Sequence, residues 1–182
     1  MDDLIRYTGN YKTLLTYRKS DIIYQITYFF CEHFLQRGDR TIDQMIQAAR
    51  SGKQNIIEGC ADSVTSAKME MKLIGVAKGS LKELLEDYED YLKTRGHAQW
   101  AKGSVEYETM RRLGAEHNDA PYFMNLITTR PPQTIANMAI ILLNQADYLL
   151  YKQLKRLEKD FLEHGGFTER LYALRRQRRD KK

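Results

Sequence analysis

The chain has 182 residues, with 29 Lys+Arg against 24 Asp+Glu and a formal net charge of +5. Seven basic residues and two acids lie between Phe167 and Lys182, so the body before Phe167 is formally neutral; this excludes a uniformly basic nucleic-acid binder and leaves a basic arm. A hydrophobic content of 42% with only three prolines fits one folded domain with a real core rather than a disordered chain.

The apolar periodicity is helical almost throughout. A first helix is predicted from about Lys12 to Gln36, with Ile22, Ile26, Phe29, Phe30 and Phe34 on one stripe, ended by Gly38-Asp39. A second runs from about Thr41 to Ala61, with Thr41 as N-cap and Gln44 completing a capping box; its stripe is Ile42, Met45, Ile46, Ala49, Ile56 and Cys60. A third runs from about Ser66 to Arg95 behind a Ser66 cap, with Leu73, Val76, Ala77, Leu81, Leu84, Tyr88 and Tyr91 facing inward. Glu83, Glu86, Asp87, Glu89 and Asp90 make its later half acidic.

The stretch from His97 to Pro132 is less regular. Ala98 to His117 suits a helix anchored by Trp100 and Tyr107 and weakened by Gly103 and Gly114. Asn118 to Pro121 and Thr129 to Pro132 read as breaks. A fourth long helix follows from about Gln133 to Glu163, with Ile135, Met138, Leu142, Ala146, Leu149 and Leu157 on its buried side, and Gly165-Gly166 ends it. The expected fold is all-α: an antiparallel up-down four-helix bundle over residues 1–166, with an irregular helical insertion at about 97–132 and a basic amphipathic tail over 167–182.

Chemistry-bearing constellations fall short. Cys31 and Cys60 lie among apolar residues and make neither a disulfide framework nor a CxxC pair. His33, His97, His117 and His164 are scattered, and no Glu has a His three residues later, as a di-iron bundle requires. Gly75 to Ser80 resembles a phosphate loop only superficially, because Lys78 precedes the second glycine and the segment lies inside a helix. We therefore expect no catalytic residues, no cofactor and no metal. Met1-Asp2-Asp3 begins no apolar leader, and the longest clean apolar run, Met138 to Leu143, is too short to cross a bilayer. A cytoplasmic protein without a membrane partner is expected.

Two segments stand out: Gln47 to Ser51 followed by Asn55-Ile56-Ile57-Glu58-Gly59, and Ala77-Lys78-Gly79-Ser80-Leu81 with Glu83. Glycines inside helices cost about 1 kcal/mol each, a cost that close helix approach would offset. Asn55 and Glu58 share a face and are expected to hydrogen-bond across to the third helix, for instance to Ser80. Together with Glu70, this pattern resembles the rRNA intervening-sequence protein family of four-helix bundles, which includes the accessory variability determinants of diversity-generating retroelements. The resemblance covers Tyr17 to Leu92 and, more loosely, the fourth helix. It implies a non-catalytic, all-α protein that assembles as a homo-oligomer, typically a ring-shaped pentamer. It also implies binding of RNA or DNA beside a reverse transcriptase. The insertion, the longer C-terminal end and the neutral body are departures from the family.

The residues expected to meet nucleic acid are Arg170, Arg175, Arg176, Arg178, Arg179, Lys181 and Lys182, with Arg37, Arg40, Arg50 and Lys53 in a second cluster around the turn between the first two helices. Five copies in a ring would multiply the tail's charge fivefold. The competing expectation is a protein-interaction scaffold, which the neutral body, the acidic third helix and the tyrosine-rich helices suit.

Overall fold

A computed structural model describes residues 10–63 and 66–180, and every regular element among them is helical. A short 3-10 turn, Tyr11–Thr13, precedes α1 (Leu15–Phe34); then follow α2 (Arg40–Asp62), α3 (Ala67–Thr94), α4 (Val105–Glu116), α5 (Ala120–Ile127), α6 (Pro132–His164) and α7 (Phe167–Asp180).

Capping chemistry sets these limits. The first helix does not run unbroken from Lys12: Asn10 Oδ1 accepts from Lys12 N at 3.0 Å and closes a separate turn, and Leu14 is extended. Asp39, not Thr41, caps α2, its Oδ1 accepting from Thr41 N at 2.9 Å. Ser66 caps α3 as expected, its Oγ accepting from Met69 N at 3.2 Å. The predicted break at Asn118 to Pro121 is a short gap, His117 to Asp119, between α4 and α5, and its last two residues already belong to α5. Asp119 Oδ1 accepts from Tyr122 N at 3.0 Å, and Pro121 occupies the first turn, where its missing N–H costs nothing. The predicted helix from Ala98 to His117 forms only from Val105, behind Ser104 as cap, because Gly103 adopts φ +87°.

α1 packs on α2 and α6, α2 on α3, and α3 on α6. Ser51 meets Ser80 while Gly59 faces Leu73, so α2 and α3 run antiparallel; Lys78 pairs with Asp147 while Lys68 lies over Phe161, so α3 and α6 do too. Phe30 packs edge-on against Tyr88 and Tyr91, with ring centres at 5.2 and 4.8 Å. The fully buried Tyr88 hydroxyl donates to Thr27 Oγ1 at 3.1 Å. α6 is central, and Ile135 to Leu143 are buried on every side, which explains the unbroken apolar run from Met138 to Leu143. The face of α3 is rotated slightly from the expected one: Ile74 is buried and Val76 is exposed. Cys31 is buried, and burial pushes its thiol up to about 12, so it is an inert packing residue.

The insertion docks on the chain's own α6. Asn137, almost fully buried, accepts from Trp100 N at 2.7 Å and donates to Ala98 O at 3.1 Å, in place of the ladder bonds an extended segment lacks. Asn137→Ala is expected to cost about 2 kcal/mol in urea melts, because it strands a buried N–H and a carbonyl together. A loss within error of zero would mean that the segment from 97 to 104 is held by other contacts.

Candidate nucleic-acid interface

α7 begins where α6 stops. Gly165 turns the chain at φ +67°, and Glu169 then reaches back, its Oε2 accepting from Gly166 N at 2.9 Å. An acid at the first turn and arginines at the last both complement the helix dipole. The predicted tail is thus a formed helix of 14 residues. Among the described residues it has no extensive packing partner in its own chain.

The arginines divide. Arg175, Arg176 and Arg179 line one shallow groove with Thr168, Leu171 and Tyr172, at the three- and four-residue spacing of a single helix face. Tyr172 is 67% exposed, which leaves its ring free to stack. Arg176 lies 3.9 Å from Asp180, a weak exposed pair, and Arg178 is exposed in the last turn. Arg170 turns inward instead, and its Nε is buried without a hydrogen-bond partner among the described residues. Lys181 and Lys182 lie outside the described residues.

The second cluster loses one member. Arg50 is exposed, but Lys53 is tied between α1 and α2, with its ammonium 3.2 Å from Asp21 Oδ1 and 4.0 Å from the Tyr24 ring centre. That geometry makes it a packing cation rather than a phosphate contact.

The motif residues occupy a different place. Ser51 Oγ and Ser80 Oγ are 2.9 Å apart, and Asn55 Nδ2 donates to Ser51 O at 2.8 Å and Ser51 Oγ at 3.2 Å. Asn55 therefore reaches α3 only through Ser51. Glu58 does not cross at all: it is exposed, one turn from Gln54, whose Nε2 donates to it at 3.3 Å. Gly59 meets α3 at ordinary contact distance, whereas Gly79 is exposed with open space around it. Ser51, Ser80 and Glu83 line a groove between α2 and α3 with Asp43 and Asp87. Burial, and then Asp90, Glu83 and Glu86, push the Asp87 carboxyl upward. Such a groove repels phosphate. α6 reaches the start of α3 just before α7 begins, as Lys68 over Phe161 shows, and the groove lies at Ser80 to Asp87, roughly 20 Å along that helix. Acid and base are thus separated along the body.

Two further arrangements escaped the sequence reading. Asp160, Glu163 and His164 bring ligand atoms within 4.8 Å of one another on one exposed turn of α6; their three- and four-residue spacing was the available signal. Glu70, on the first turns of α3, has its carboxyl pushed up to about 7 by burial and by Asp160, against the pull of Arg156.

No helix among the described residues is long and apolar enough to cross a membrane. No family model matches the chain, and neither curated proteins nor solved structures match it.

Proposed function

We propose that α1, α2, α3 and α6 form an up-down four-helix bundle of the rRNA intervening-sequence type. It is non-catalytic, assembles as a homo-oligomer, by resemblance a pentamer, and presents α7 as an arm for RNA or DNA, as an accessory to a nucleic-acid enzyme such as a reverse transcriptase. One observation carries this reading: Arg175, Arg176 and Arg179 share an exposed face with Tyr172 on a helix that packs extensively against nothing else described. Guanidinium groups neutralise phosphates and displace condensed counterions, while an exposed aromatic ring stacks on an unpaired base.

The test is fluorescence anisotropy with labelled single-stranded RNA and DNA across a salt series. Replacing Arg175, Arg176 and Arg179 together with glutamate is expected to reduce the slope of log affinity against log salt by roughly 2 to 3. Affinity and slope identical to those of the parent chain would remove α7 from the interface.

A second reading has its own observation. The groove bounded by Asp43, Glu83 and Asp87 suits a basic segment of a protein partner. Partner capture that survives nuclease treatment and is lost in Glu83→Lys would favour a scaffold.

A further inference from the structure

Away from both charged surfaces, a cleft of about 500 Å³ opens between α1, α4 and α6. Lys19 of α1 forms part of its lining and is only 1% exposed. Its ammonium donates to the Gly114 carbonyl, one of the last carbonyls of α4, which have no partner within the helix, and lies 5.9 Å from the centre of the Phe123 ring. No carboxylate among the described residues pairs with it. An ammonium carries three donors, and one carbonyl and a ring face leave the charge uncompensated.

A second unpaired group meets the same glycine. Gln145 Nε2 donates to Arg111 O at 2.7 Å, which aims Gln145 Oε1 at Gly114, where it is buried without a partner among the described residues and where an added Cβ would collide with it. The rest of the cleft is mixed. Leu15, Ile141 and Leu149 supply apolar wall, Tyr148 an exposed ring at the rim, and Asn118 and Asn144 amides. Arg111 also lines it, with Glu108 partly neutralising that guanidinium. An apolar pocket with a few convergent polar groups and one uncompensated charge is the usual form of a small-molecule site.

We propose that this cleft binds a small monoanion with an apolar body, a medium-chain carboxylate, whose charge compensates Lys19 while its chain lies on Leu15, Ile141 and Leu149. The site is separate from α7 and does not depend on the nucleic-acid reading. A buried ammonium without a counter-charge is costly, and an anion in the adjoining low-dielectric cleft relieves that cost more than one in bulk water. An amine of the same length gains the apolar contact but meets a like charge, so the site discriminates by sign.

Octanoate and octylamine are titrated separately against the full chain, with binding followed by calorimetry and by methyl and amide NMR shifts. Saturable octanoate binding is expected, with perturbed resonances at Leu15, Leu149 and Asn118 and no saturable octylamine binding. Lys19→Met should weaken octanoate by about tenfold or more. Asn144→Asp changes an exposed side chain, leaves the core alone and brings a negative charge to the cleft, so it should also weaken octanoate even if the Lys19 variant misfolds. Absence of octanoate binding at millimolar concentration, equal binding of octylamine, or unchanged affinity in Asn144→Asp would each overturn the proposal.

Discussion

Lys19→Met is expected to make the protein more stable at pH 7 and less stable above pH 10.5. Burial lowers the Lys19 ammonium from its ordinary 10.5 to about 8, so at neutral pH the fold holds a charge it disfavours by roughly 3 kcal/mol. Methionine removes that cost in nearly the same volume. It also removes the donor to Gly114 O and leaves the end of α4 without one of its partners, a loss of about 1–2 kcal/mol. The difference favours the variant by about 1–2 kcal/mol at pH 7.

The sign reverses because the folded pKa lies below the unfolded one. Between about 8 and 10.5 the unfolded chain holds a proton that the folded chain has released, so the stability of the parent chain rises with pH across that window. Above it the neutral amine still donates to Gly114, and methionine does not. Urea melts of both proteins at pH 7 and at pH 10.5 or slightly above measure the crossing. A constant difference between the two proteins would mean that Lys19 is solvated in the folded state.

Lys19 also shows where the sequence was legible and where it was not. The stripe of α1 was read forward from Ile22, and Ile22, Ile26 and Phe30 are buried, while Phe29 and Phe34 are half-buried. Continuing that stripe backward by the same three- and four-residue steps lands on Lys19, but a lysine in that register is ordinarily solvated at the end of a helix. Only α4 and α5, which fold over it from 95 or more residues away in sequence, turn the position into a core site. The long helices were visible because their apolar periods extend over many turns. The insertion was visible as an irregular helical stretch, but its docking on α6 was not, because that hold uses Asn137, a single polar side chain with no periodic signal.

The basic arm was legible in composition, but the grouping of its arginines was not. Their separation into an outward face and the inward Arg170 follows from the turn at Gly165 and the return bond from Glu169. The glycine-rich motif was informative in a different way from the one expected. Close approach between α2 and α3 falls at Gly52, a residue the motif omits, because two small positions can be equally small in sequence and face opposite ways in space.

That contrast gives the second large effect. Gly52→Val is expected to destabilise the protein by about 3 kcal/mol or more, while Gly79→Ala stabilises it by roughly 0.5–1 kcal/mol. A Cβ at Gly52 would lie 2.5 Å from Leu81 Cδ2 and 2.7 Å from Leu81 Cγ. Leu81 is itself buried between the helices. Alanine at position 52 would recover about 1 kcal/mol of helix propensity, less than the overpacking costs, and the branched valine adds a further clash. Gly79 meets nothing within 4 Å, so there the propensity gain stands alone.

A double-mutant cycle isolates the contact. Leu81→Ala alone should cost about 2–5 kcal/mol through its cavity, and adding Gly52→Ala should cost nothing further or recover part of that loss, because the new methyl enters the vacated space. Strict additivity in urea melts would show that α2 shifts away from α3 rather than pressing on Leu81. A loss at Gly79→Ala, accompanied by a fall in the mass measured in solution, would place a second copy of the chain against that open face.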